Sequence, residues 1–119
     1  MAVHCFQSGS VKLDKFTDDA EIYIKDVVDA SISDTIDAGW LKWGKGESLE
    51  WTLEYDEIMY VVEGVFSIST SEGAQTAEAG SFFFISKGQA LTYSSDEGAL
   101  LFYVTYPHWV EASQKAGRL

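Results

Sequence analysis

The sequence predicts an all-β fold in a single domain of 119 residues. Three observations predict it. Short runs rich in Val, Ile, Tyr, Phe and Trp recur at about ten-residue spacing. Clusters of turn-forming residues (SISD, GKGE, SEG, EAG, SKG and SDEG) separate them. Hydrophobic residues make up 46% of the chain, enough to fill a core and too many for a disordered segment. Many short strands with regular turns point to a sandwich or a barrel.

Residues 1–20 read as an irregular or edge segment that packs on a sheet, and residues 110–119 as a terminal tail. The first strands expected are Glu21–Asp29 and Thr35–Trp43, both bearing β-branched and aromatic residues on either side of SISD. Leu49–Leu53 follows the GKGE turn. Glu57–Glu63 and Val65–Thr70 flank Gly64 and read as two strands. Ala74–Ala77, Ser81–Ile85, Ala90–Ser94 and Ala99–Tyr106 complete the set. Val110–Leu119 contains EASQKAG, which has weak helical character.

Glu57–Glu63 and Ser81–Ile85 are apolar at consecutive positions instead of alternating. Such strands are covered on both faces. One face lines a barrel, and the other packs on a second sheet or subunit. A homodimer is therefore expected, because apolar strands left uncovered invite aggregation.

Charge narrows the partners. The formal net charge is -11, from 19 acidic and 8 basic residues. Phosphate backbones and anionic membranes repel such a surface, so neither nucleic acid nor membrane is expected as a partner. No apolar run approaches membrane-helix length. The start, MAVHCFQSGSVK, lacks the pattern of a secretory signal, and a cytoplasmic setting is expected. Cys5 is the only cysteine, so no intrachain disulfide or CxxC motif exists. His4 lies beside it with no third orienting group, and Cys5 reads as a bystander. There is no GxxxxGK[ST] loop. Arg118 is the only arginine, and Lys42, Lys45 and Lys87 are the only basic residues near the central strands. Phosphoryl transfer needs denser positive charge or metal.

The stretch Gly44–Gly64, GKGESLEWTLEYDEIMYVVEG, has a distinctive skeleton. A glycine is followed by five residues, then two positions two apart, then a glutamate and a second glycine. A second pattern starts at Gly80, with five residues before Ser86-Lys87-Gly88 and Leu91 further on. Together they resemble the paired signatures of the cupin superfamily, a jelly-roll barrel also described as a double-stranded β-helix. Metal-binding cupins place three imidazoles and one carboxylate at these positions. Here the positions are Glu50, Thr52, Glu57 and Leu91. Only Glu57 keeps a usual ligand type, so the resemblance implies a barrel without the His-based metal centre. No cofactor is expected, with a weakly held hard cation at Glu50 and Glu57 the remaining option.

Two readings of that carboxylate pair stand. On a strand in an acid-rich stretch, both glutamates can be solvated surface. In the signature register, both face a lumen, where repulsion and desolvation raise one pKa and suit the pair to acid–base work. Glu50 and Glu57 with Tyr93 form the candidate catalytic set, and Trp40, Thr52 and Leu91 the candidate pocket walls. Aromatics beside acidic groups suit a small amine or ammonium ligand. His108, after Pro107, reads as a surface or interface residue.

Within the cupins the chain resembles one branch, the EutQ proteins of ethanolamine utilisation. The resemblance is carried by Trp51 through Ile58 (WTLEYDEI), Val62-Glu63-Gly64, Ala79-Gly80, Phe84 through Gly88, Phe102-Tyr103-Val104, Tyr106-Pro107 and Trp109. It covers roughly residues 10–110. It implies a small-molecule-binding or accessory role, a homodimer, and a link to bacterial microcompartments that degrade ethanolamine. Some full-length members are assigned an acetate kinase activity and carry a further N-terminal region. An enzymatic alternative is a carboxylate-based lyase or isomerase, or an acetate kinase-like activity, using Glu50 and Glu57.

Overall fold

Each predicted turn cluster separates two strands of the computed structural model, which describes residues 2–7, 9 and 11–119. The strands are β1 (Asp14–Lys15), β2 (Ile22–Val28), β3 (Asp37–Trp43), β4 (Ser48–Thr52), β5 (Asp56–Thr70), β6 (Gly73–Glu78), β7 (Phe82–Ile85), β8 (Ala90–Ser94) and β9 (Ala99–Tyr106). One helix, α1 (Trp109–Lys115), follows the last strand. Among the described residues, the fold is all-β apart from this helix.

The strand expected at Glu57–Glu63 and the one expected at Val65–Thr70 are a single 15-residue strand, β5. Gly64 bends it without ending it. Its φ is 81°, and a Cβ there would lie 2.1 Å from the carbonyl oxygen of Gly98, so only glycine fits. The pairing of β5 with β9 shifts between Val61 and Glu63. This bulge changes the inward phase from Glu57, Met59 and Val61 to Phe66 and Ile68.

β5 thereby belongs to two antiparallel sheets. Its first half sits between β9 and β7, continuing the order β1-β2-β3-β9-β5-β7. Its second half sits between β6 and β8, in the order β6-β5-β8-β4. The sheets share one core. Trp43 of the first sheet meets Phe66 of the second at 5.2 Å between ring centroids and Tyr93 at 5.9 Å. Leu101, Val61, Leu53 and Phe66 are wholly buried within it.

The outer faces of the sheets differ in chemistry. Ile58, Tyr60, Phe82, Phe84 and Tyr106 project from the first sheet and are exposed, Phe82 and Phe84 to 64% and 63%. β5 is thus apolar on both sides, but its outer side lies open in the single chain. The outer face of the second sheet carries hydroxyls in register, Ser48 opposite Ser94 and Ser94 opposite Ser67, which bonds to Thr76.

The N-terminal segment packs on the first sheet as an edge. β1 pairs with β2, and the Phe16 amide donates to the Ile22 carbonyl. The C-terminal segment forms the helix. Both carboxylate oxygens of Asp37 tie its start to the first sheet: Oδ2 accepts from the Trp109 amide at 2.8 Å, and Oδ1 lies 2.7 Å from His108 Nδ1. This supplies an acceptor for one of the amides that a helix N-terminus leaves unpaired. Glu111 in the first turn and Lys115 in the last complement the helix dipole. His108, expected at a surface or interface, is buried against Asp37 instead.

Candidate functional site

The inward-facing side chains leave a small cavity of about 50 Å³ between the sheets. Ile22, Ile24, Leu41, Trp43, Met59 and Tyr103 line it from the first sheet. Leu49, Trp51 and Tyr93 line it from the second, and Tyr55 from the link between β4 and β5. Phe16 and Trp109 reach it from the two terminal segments. Trp109 joins these parts, with its ring 6.2 Å from Phe16, 6.4 Å from Trp51 and 6.4 Å from Tyr55.

Among the described residues, Glu57 is the one acidic or basic side chain in this lining. It points inward from β5 and is 7% exposed. Tyr93 on β8 donates its hydroxyl to Glu57 Oε1 at 2.8 Å. Burial pushes the Glu57 carboxyl up to about 7, and the Tyr93 hydrogen bond acts in the opposite direction. Burial also raises the Tyr55, Tyr93 and Tyr103 hydroxyls, and the charge of Glu57 adds to this. The carboxyl thus exchanges its proton near neutrality while its tyrosine neighbours stay protonated. That is the ionisation behaviour needed for acid–base work or for reversible pairing with a cation.

A second carboxylate stands behind the wall. Asp26 on β2 accepts from the Tyr103 hydroxyl, and from Trp109 Nε1 at 2.9 and 3.1 Å to its two oxygens. Burial raises its pKa, against these hydrogen bonds, which lower it. Gly39 makes this reach possible, since a Cβ there would lie 2.7 Å from the Tyr103 hydroxyl and 2.0 Å from the Lys25 carbonyl. Asp26 and Asp37 together fix Trp109 as part of the cavity wall. Neither carboxylate belongs to a signature motif, and the contact to Trp109 spans 83 residues for Asp26 and 72 for Asp37. A bulky aromatic inside a polar tail was the available sign for Trp109.

Of the residues expected at the site, the structure brings Glu57 and Tyr93 together. Glu50 is elsewhere. It is exposed on the outer side of β4, beside Thr52, Thr92 and Arg118 in a surface groove. The expectation that Glu50 and Glu57 face one lumen is corrected: they lie on opposite sides of the barrel wall and form no shared cation site. Leu49 and Trp51, one residue either side, hold the inward positions. Thr52 borders the outer groove rather than the cavity. Leu91 is buried in the core opposite Trp51 but does not line the cavity. Trp40 is also corrected, since it lies on the outer side of β3 with its ring 5.2 Å from Phe102. Leu41 and Trp43 take the inward phase there. Among the described residues, no group of three or more His, Cys, Asp or Glu is placed to hold a metal ion. Cys5 is exposed. No described helix is long and apolar enough to cross a membrane.

Two curled sheets sharing a long bent strand around a central cavity define a cupin. The RmlC-like cupin from Shewanella frigidimarina has the same fold, with a TM-score of 0.74 over 88% of this chain and 91% of that one at 16% identity. The family is narrower. The model for "Ethanolamine utilisation protein EutQ" matches residues 3–111, and the chain belongs to that family. The ethanolamine utilization protein structure from Salmonella typhimurium LT2 superposes with a TM-score of 0.83, at 30% identity, over 90% of this chain and 88% of that one. The acetate kinase EutQ of Clostridioides difficile is 34% identical over 100 residues, 84% of this chain. The chain spans only 63% of that relative's length.

Proposed function

We propose that this chain is a small-molecule-binding accessory protein linked to ethanolamine utilisation, holding its ligand in the cavity around Glu57. The observation that carries the reading is the Glu57–Tyr93 pair inside an otherwise apolar cavity. An ionisable carboxyl held there works against its own solvation, and a ligand contact is a reason for it to persist. Thermal-shift screening of small amines, alcohols and carboxylates tests this, with Ile24→Phe as a variant that fills the cavity and leaves Glu57 in place. A ligand whose affinity falls at least tenfold in Ile24→Phe supports the reading. Full affinity in that variant puts the ligand elsewhere and ends it.

The relatives' name favours a second reading, an acetate kinase-like enzyme. The separation of Glu50 from Glu57 removes the two-carboxylate site on which that alternative, and a lyase or isomerase, relied. Glu57 with Tyr93 remains as an acid–base pair. Assay of the purified chain with acetate and ATP, and with acetyl phosphate and ADP, discriminates the readings.

The outer apolar face of the first sheet supports a homodimer as the working form, with Tyr60, Phe82 and Phe84 covered by a second copy. Light scattering at micromolar concentration should give about twice the 13.2 kDa chain mass. A monomeric mass removes the dimer from the reading. A cytoplasmic setting, with microcompartment association, belongs to the same reading, and cell fractionation tests it.

A further inference from the structure

The hydrogen-bonding groups that line the cavity are unevenly used. Every indole N–H in the lining is already committed: Trp43 to the Glu47 carbonyl at 2.7 Å, Trp51 to the Tyr55 hydroxyl oxygen at 2.8 Å, and Trp109 to Asp26. The Tyr103 hydroxyl donates to Asp26 and the Tyr93 hydroxyl to Glu57 Oε1. Of these polar side chains, only the Tyr55 hydroxyl keeps a proton to offer. The acceptors are open by contrast. Glu57 Oε2 and the hydroxyl oxygens of Tyr55 and Tyr93 retain free lone pairs. Among the described residues, no Lys, Arg or His lines the space.

Such a wall selects ligands by what they donate. An anion needs donors or positive charge, and finds one hydroxyl proton and a carboxyl. An ammonium group has three donors and no acceptor, which matches the vacancy. Aromatic faces attract a cation through their negative quadrupole, and the contact strengthens where water is excluded. Seven of the thirteen lining side chains are Phe, Tyr or Trp.

We infer that the cavity takes a small organic cation, a primary ammonium on a short apolar body, with its charge on Glu57 Oε2 and its body between the aromatic faces, and that it turns anions away. This rests on the cavity being a binding site, as proposed above. Anionic substrates of any activity shared with the relatives must then bind outside the cavity. Around neutral pH the Glu57 carboxyl is partly protonated. An incoming ammonium keeps its own proton, and the Glu57 proton leaves to solvent, so the bound state is a carboxylate–ammonium pair. Of the groups facing Glu57, Tyr93 on β8, Tyr55 before β5 and Tyr103 on β9 stay protonated in this range. Asp26 on β2 stands behind Tyr103 and Trp109, held by their donors.

Three probes of nearly equal shape test the inference on the full chain by calorimetry at pH 6 and pH 8: propylammonium, propanol and propionate. Propylammonium is expected to bind about tenfold more tightly at pH 8, in line with the ionised fraction of a carboxyl titrating near 7, and to release about half a proton at pH 7. Propionate is expected to show no binding. Glu57→Gln should lose at least tenfold in propylammonium affinity together with its pH response, while keeping any affinity for propanol. Tyr93→Phe, which keeps the ring, should move the midpoint of the pH response upward, because the lost hydrogen bond favoured the carboxylate. If propanol binds as tightly as propylammonium, the binding cavity stands and the cation inference is overturned. Tighter binding of propionate overturns it in the same way. If none of the three binds, the inference and the reading beneath it both fall.

Discussion

Glu50 and Glu57 are seven positions apart in one signature, and the fold treats them in opposite ways. Glu50 is exposed on β4, opposite Thr92. Glu57 is buried on β5 and bonded to Tyr93. Chemically they are the same residue. The difference comes from strand phase, since successive side chains point to opposite faces. On β4 the inward phase belongs to Leu49 and Trp51, and on β5 to Glu57 and Met59. A carboxyl in the first phase is ordinary surface. In the second it becomes the one charged group the cavity can present.

The strongest way to sharpen that contrast is to move the β4 acid inward by one residue. Leu49 lines the cavity and pairs with Tyr93, the residue that holds Glu57. Leu49→Glu places a second carboxyl in the same low-dielectric space. At pH 8 the loss of stability should be about 3–5 kcal/mol, the cost of an uncompensated charge in such a site. At pH 5 the loss should be smaller, because one carboxyl can stay protonated. Urea denaturation at the two pH values measures both. An equal, small loss at each pH would mean that the inward phase of β4 is not desolvated.

The next effect comes from Glu57 itself. Its folded pKa, about 7, is raised above the ordinary carboxyl value of 4.5, so the native state binds this proton more tightly than the unfolded state does. The stabilising contribution is present in full below pH 4.5 and is lost as pH rises through 7. The loss should amount to about 3 kcal/mol across that window. Glu57→Gln keeps the shape and the acceptor for Tyr93 but cannot titrate. Its stability curve between pH 4.5 and pH 8 should lack this component. If wild type and Glu57→Gln run parallel over that range, the carboxyl is not desolvated as described.

How much of this was legible in the sequence follows the same line. β8 and β9 lie where the strand residues and turn clusters place them, because local composition decides them. The two halves of β5 look like separate strands in the sequence. A glycine that bends a strand and a glycine that ends one look identical until the chain across the bulge, here Gly98, is known. Glu57 was legible from its spacing between two glycines, and Tyr93 from its strand. Glu50, Thr52 and Trp40 failed by a single residue of phase. That phase depends on ladder register, which is fixed by pairing with β8 and β9 and not by local composition. Phe16 and Trp109 lie outside any alternating pattern and enter the cavity only through contacts with residues far away in sequence.

The smallest effect is the most exacting test of the contrast. Glu50→Gln removes one of 19 acidic side chains from a chain of net charge -11. Two terms remain for an exposed carboxylate on an acid-rich surface. Relief of like-charge repulsion favours the amide slightly, and salt screens that gain. Loss of hydration of a group that stays in water costs next to nothing. The change should stay within about 0.5 kcal/mol, with a slight stabilisation at low ionic strength that fades above the physiological range. The pH dependence between 4.5 and 8 and the affinity for propylammonium should match wild type. A shift in either would mean that Glu50 communicates with the cavity through the β4 wall, and the two carboxylates would then have to be treated as one coupled site.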